Sequence, residues 1–154
     1  MKLFSEMNMR RLLLSGLCAI TLLSGCASRG VDATGDFPTQ AFEVSTDYYQ
    51  AQRRVREYLK ACFVDRPHAF NVAYDFTGSV DPKATTGETR LFTVNEPARA
   101  LMRFTVRPAG ERLAKATLTI VGIAPFDQQE MDAAIRSIQS ATPVCRDGKN
   151  PLAS

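Results

Sequence analysis

The sequence predicts an α+β domain in two layers: a four-stranded antiparallel sheet with an N-terminal and a C-terminal helix on one face, in the order α-β-β-β-β-α. Two observations predict it. Apolar stripes at helical spacing stand near residues 47–63 and again after 127, and between them lie four runs of strand character. The links between those runs are short. Short links favour antiparallel neighbours, because a parallel pair needs a crossover of about a dozen residues or more.

The first helix is expected from Asp47 to Phe63. Ser45, Thr46 and Asp47 offer N-caps. Tyr48, Gln52, Val55, Leu59 and Cys62 share one face, widened by Ala51, Tyr58 and Phe63. Arg53, Arg54, Arg56, Glu57 and Lys60 occupy the wet side. Pro67 ends any continuation.

Four strands follow. Phe70, Val72, Tyr74 and Phe76 alternate with Asn71, Ala73 and Asp75, a period of two. Gly78 to Glu88 reads as a turn-rich loop. Thr89 to Asn95 is the second strand, its inward parity open. Pro97 separates it from the third, Arg99 to Arg107, in which Met102, Phe104 and Val106 point one way. Pro108 to Glu111 forms the hairpin connection. Ala114 to Gly122 is the fourth, with Ala116, Leu118 and Ile120 inward.

The last helix has a clear local start. Asp127 caps it, Glu130 completes an Asp version of the capping box, and Phe126 packs on Met131 as a hydrophobic staple. Met131, Ala134, Ile135 and Ile138 form its stripe, and Pro143 lies past its end. The expected core is Val55, Leu59, Phe63, Val72, Tyr74, Phe76, Met102, Phe104, Val106, Leu118, Ile120, Met131, Ile135 and Ile138. Residues 146–154 are expected to be a disordered tail.

The N-terminus carries a different signal. Lys2, Arg10 and Arg11 precede the uncharged run Leu12 to Leu23, and small residues lead into a cysteine: Leu23-Ser24-Gly25-Cys26. This is the layout of a secretory signal, and its apolar part, about 12 residues, is too short for the ~20 of a spanning helix. The four residues resemble the lipobox of bacterial lipoprotein precursors. The resemblance covers about the first 26 residues. It implies a signal peptide over 1–25, cleavage before Cys26, and an N-acyl diacylglycerol cysteine as membrane anchor, with no other cofactor. Stable anchoring takes more than one acyl chain, which a triacylated cysteine supplies. Ala27 and Ser28 lack the aspartate that marks inner-membrane retention in this family, so the implied destination is the outer membrane, facing the periplasm. Residues 26–41, with Gly30, Gly35 and Pro38, read as a flexible tether, leaving 42–145 as the single domain.

With Cys18 lost in the signal and Cys26 lipidated, Cys62 and Cys145 remain. In an oxidising compartment they are expected to be bridged. They stand at the ends of the two helices, which suits helices covering one sheet face.

The chain carries a formal charge of +3, but much of that leaves with the signal, and the mature part keeps only about +1, which gives no reason to expect a nucleic-acid partner. His68 is the only histidine. No G-x-S-x-G, P-loop, dinucleotide fingerprint or calcium loop occurs, and a His/Cys metal site runs short of ligands. The expectation is therefore a non-enzymatic, membrane-anchored binding, accessory or assembly factor of the cell envelope. A periplasmic inhibitor or immunity-type protein is the alternative, ahead of a small enzyme or ligand carrier. The candidate binding surface is the sheet face away from the helices: Arg103, Thr105, Arg107, Lys115, Thr117 and Thr119, with Asn71 and Asp75. Arg and Thr on neighbouring strands suit an anionic envelope component or an acidic protein patch.

Overall fold

Helix α1 spans Tyr48–Leu59 in the computed structural model, which describes residues 30–81, 83, 85–149 and 151. The expected signal peptide and the lipid-bearing Cys26 lie outside the described residues. Asp47 caps α1, its carboxylate accepting from the Gln50 N–H at 3.0 Å. Tyr48, Ala51, Gln52, Val55, Tyr58 and Leu59 form the buried face, as the helical spacing predicts. The helix does not run on regularly to Phe63. Lys60–Val64 is a π-helical turn, in which the Asp65 N–H donates to the Lys60 carbonyl at 2.9 Å. It buries three consecutive residues, Ala61, Cys62 and Phe63, which regular α spacing distributes round a helix.

The sheet has five strands rather than four, in the order β1-β5-β4-β3-β2, every neighbouring pair antiparallel. The additional strand, β1 (Thr39–Val44), pairs with β5 (Leu113–Ile120). It begins inside the stretch expected as a tether. Only Phe42 and Val44 of this strand are buried, so the alternation is too brief to stand out beside Pro38. The chain before it is also docked: Val31 is buried, and its N–H donates to the Ala100 carbonyl at 2.8 Å. The domain thus starts by Gly30, not at 42.

Strand β2 (Tyr74–Asp81) starts later than the period of two suggested. Ala69–Asn71 is a 3-10 turn, with Phe70 at φ 58° and Asn71 at φ 54°. Phe70, expected to open the first strand, is 98% exposed. Val72, Tyr74 and Phe76 are half-buried. Strands β2 and β3 (Thr86–Thr93) extend into what reads as a loop, and Asp81 and Thr86 are register partners. In β3 the inward residues are Gly87, Thr89 and Leu91. Gly87 is required by a close approach: a Cβ there would stand 1.7 Å from Gln52 Nε2 and 2.9 Å from Tyr48 Oη.

Strand β4 (Met102–Gly110) turns Met102, Phe104 and Val106 inward, and β5 turns Ala114, Ala116, Leu118 and Ile120 inward, all fully buried. Burial of a residue such as Leu118 contributes ~1.5–3 kcal/mol. Helix α2 (Gln128–Ser140) begins at Asp127, whose carboxylate accepts from the N–H groups of Gln129 (3.1 Å) and Glu130 (3.4 Å). Phe126 and Met131 are both buried. α1 lies over β3, β4 and β5, and α2 lies beside it over β1. Arg54 ties the two helices by donating to the Ile138 carbonyl at 3.2 Å. Gln139 donates to the Glu43 carbonyl of β1 at 3.1 Å, covering part of that sheet edge.

Cys62 and Cys145 are disulfide-bonded, with Cα atoms 5.4 Å apart across a sequence separation of 83. The expected disordered tail is folded at its start. The Cys145 N–H donates to the Lys149 carbonyl and the Gly148 N–H to the Cys145 carbonyl, at 3.0 and 2.8 Å. Among the described residues no helix is long and apolar enough to cross a membrane.

Candidate functional site

The strand alternation places Arg103, Thr105, Arg107, Lys115, Thr117 and Thr119 together on the sheet face opposite the helices. Thr105 is the register partner of Thr117, and Arg107 of Lys115. Two members are already engaged. Asp32, in the docked segment before β1, pairs with Arg103 at 3.5 Å and with Arg90 of β3. Thr119 is buried and its hydroxyl lies 3.1 Å from that of Thr39. At this end of the face one carboxylate of the chain itself thus engages two arginines. Asn71 is not part of the face, because it sits in the 3-10 turn ahead of β2. Asp75 is on it, its carboxylate accepting from the Phe76 N–H at 2.7 Å.

A second site lies elsewhere. A cleft of 240 Å³ opens between the π-helical turn after α1, the start of β2 and the first turn of α2. Its wall is the short segment Cys145-Arg146-Asp147, and three successive residues fasten it. Cys145 is bonded to Cys62. Arg146 grips Asp127 in two contacts, Nη1 to Oδ1 at 2.7 Å and Nη2 to Oδ2 at 3.0 Å. Asp147 accepts from Arg66 at 2.9 Å. The Arg146 hydrogen bond holds the Asp127 carboxyl below the usual carboxylate range, and Arg66 does the same for Asp147.

Aromatic rings build the other wall. Phe63 stacks on His68 (centroids 5.9 Å) and on Phe126 (5.7 Å), and meets Tyr74 edge-on at 5.5 Å. His68 Nε2 lies 2.8 Å from the Phe63 carbonyl oxygen. A carbonyl only accepts, so Nε2 is the donor in this contact.

Glu130 lines this cleft and is 3% exposed. It does not close a capping box. Its carboxylate instead accepts a hydrogen bond from Tyr58 Oη of α1. Burial pushes the Glu130 carboxyl above its ordinary value; the Tyr58 hydrogen bond and the Arg146 charge act against that. Burial, followed by the Glu130 charge and hydrogen bond, raises the Tyr58 hydroxyl well above the usual tyrosine range, so it remains a donor. Burial and the same carboxylate raise Tyr74 as well. Chemically the cleft offers an acid at its floor, apolar rings on one side and two fixed ion pairs at its rim. Its volume is below the ~300–1,000 Å³ of pockets that enclose drug-sized ligands, so it fits a side chain or a small polar head group. Among the described residues no group of His, Cys, Asp and Glu is placed to hold a metal ion.

The sequence pattern assigned Glu130 to the helix cap, Tyr58 to the apolar face of the first helix and Phe63 to the core. One local signal was available: an acid three residues into a helix whose neighbour Met131 and preceding Phe126 are both apolar is on the border of the buried stripe. Its partner Tyr58, 72 residues away, has no local signature. No known protein family matches the chain, and no curated protein is significantly similar to it.

Proposed function

We propose that the chain is a lipid-anchored envelope protein that acts by binding, and that the cleft beside the disulfide takes a basic or amine-bearing group of its envelope partner. The observation that carries this reading is Glu130, an acid almost wholly withdrawn from water, held by Tyr58 and lining an aromatic-walled cleft. Leaving a carboxylate buried is costly unless it is paired. An incoming cation completes that pairing, and the rings of Phe63 and Tyr74 favour it further. The sheet face is the weaker candidate for an anionic partner, since Asp32 already answers Arg90 and Arg103. The lipobox-like Leu23-Ser24-Gly25-Cys26 supports the anchor and the periplasmic side of an outer membrane as its setting.

The test is photo-crosslinking in native membranes from two positions, Gln129 at the cleft and Lys115 on the sheet face. The expected result is a partner captured from position 129 in the wild type and lost in Glu130→Gln, whose fold is checked by its melting temperature. Capture from position 115 alone, or capture from 129 that survives Glu130→Gln, refutes the assignment.

A further inference from the structure

We infer that the loop end of the sheet rests on the lipid surface, with Phe70, Val94 and Ile123 entering the interfacial layer; this rests on the reading that Cys26 carries the lipid. The leash is the first argument. The first docked backbone bond is from Val31 to Ala100, and an extended chain from Cys26 to Gly30 reaches at most ~14 Å. Ala100 belongs to the loop between β3 and β4. In the antiparallel sheet this is the end where β2 and β4 begin and β3 and β5 finish. A lipid on Cys26 therefore pins this end, and not the opposite one, close to the bilayer.

The same end is where the apolar side chains without cover collect. Phe70 (98% exposed) precedes β2, Val94 (53%) follows β3 and Ile123 (60%) follows β5. Val64, the last residue of the π-helical turn, joins them. Tyr49 and Val80, the remaining exposed large apolar residues among those described, lie at the opposite end. Scattered exposed apolar residues are ordinary, but a cluster on one end marks a contact.

Phe70 adds a backbone argument. Its φ of 58° is in the left-handed region, which a bulky side chain avoids. The ring is exposed, so no side-chain packing among the described residues offsets that conformation. Such outliers gather where a surface is used. An aromatic ring at the headgroup boundary of a membrane is well placed energetically.

The charges of this end decide the type of lipid contact. Arg66 is paired with Asp147, Arg99 with Glu96 and Arg146 with Asp127. Pairing these three arginines leaves exposed Lys60 and Lys149 to add a weak attraction for anionic headgroups. On uncharged lipid the contact is apolar and insensitive to salt.

The chain contains no tryptophan, so a single introduced one is a clean reporter. Phe70→Trp, Ile123→Trp and, as control at the far end, Val80→Trp are made in the full acylated protein and reconstituted into phosphatidylcholine vesicles carrying brominated acyl chains. The expected result is quenching several-fold stronger for Phe70→Trp and Ile123→Trp than for Val80→Trp, unchanged in high salt. Protein that stays on the vesicles while all three reporters are quenched alike overturns this orientation and leaves the anchor standing. Quenching that disappears in high salt overturns the apolar contact. Protein that washes off the vesicles overturns the anchor, and this inference with it.

Discussion

Replacing Cys62 and Cys145 together by alanine removes the one covalent link between the two halves of the domain. The loop it closes has a sequence separation of 83. In the chain-entropy description the cross-link lowers the entropy of the unfolded chain by about 15 cal/mol/K for such a loop, which is about 4.5 kcal/mol at 25 °C. Unfolding entropies near 2.1 cal/mol/K per residue then give a fall in melting temperature of roughly 18 °C for a domain of about 120 residues. Local geometry adds a second expectation. Arg146 and Asp147 follow Cys145 directly and bond Asp127 and Arg66, so freeing Cys145 loosens both pairs. Arg146→Ala is therefore expected to cost more stability with the bridge present than without it. Calorimetric melting of the four proteins in this double-mutant cycle measures both effects. A fall of less than about 4 °C, corresponding to under about 1 kcal/mol, refutes the loop-entropy reasoning. Equal costs for Arg146→Ala in both backgrounds refute the coupling.

Other expectations concern single side chains. The folded state holds the Glu130 proton to higher pH than the unfolded chain does. The stability this gives is full below the ordinary glutamate value and lost as pH rises through the folded one, so urea midpoints should decline on that side and flatten in Glu130→Gln. Asp127 and Asp147 have the opposite sign: their carboxyls are lowered, and their contribution disappears as pH falls through their folded values. Gly87→Ala forces a Cβ into the space of Gln52 Nε2 and should destabilise by about 1–3 kcal/mol in urea titration; no change would show that Gln52 relocates freely. A palmitate analogue should label the wild type and not Cys26→Ala, and equal labelling contradicts the anchor.

The two-layer architecture and both helix starts were legible because each is carried by short-range pattern, and the disulfide because only two cysteines stand beyond the expected signal and lipid site. Asp127 followed by the Met131–Ile138 stripe sets α2 locally, and Met102, Phe104 and Val106 set the parity of β4. Strand β1 was missed because two buried residues, Phe42 and Val44, make no period by themselves; its identity comes from pairing with β5. Phe70 was misassigned because its alternation with Val72 is real in sequence, yet two left-handed residues break the backbone before the strand begins. The cleft was invisible for a topological reason. Its parts come from the end of α1, the start of β2, the start of α2 and the segment after it, and no spacing links them. The sheet-face residues do share a surface, but Asp32, which answers two of its arginines, comes from a stretch with no regular pattern.

The pairing of β1 with β5 has a consequence for how the protein is made. A chain delivered N-terminus first presents Thr39–Val44 early, while its partner Leu113–Ile120 arrives nearly last. The sheet is therefore left ajar through most of delivery, and contacts of such long sequence separation are slow to form. Cys145 arrives later still, so Cys62 waits for its disulfide partner through most of delivery.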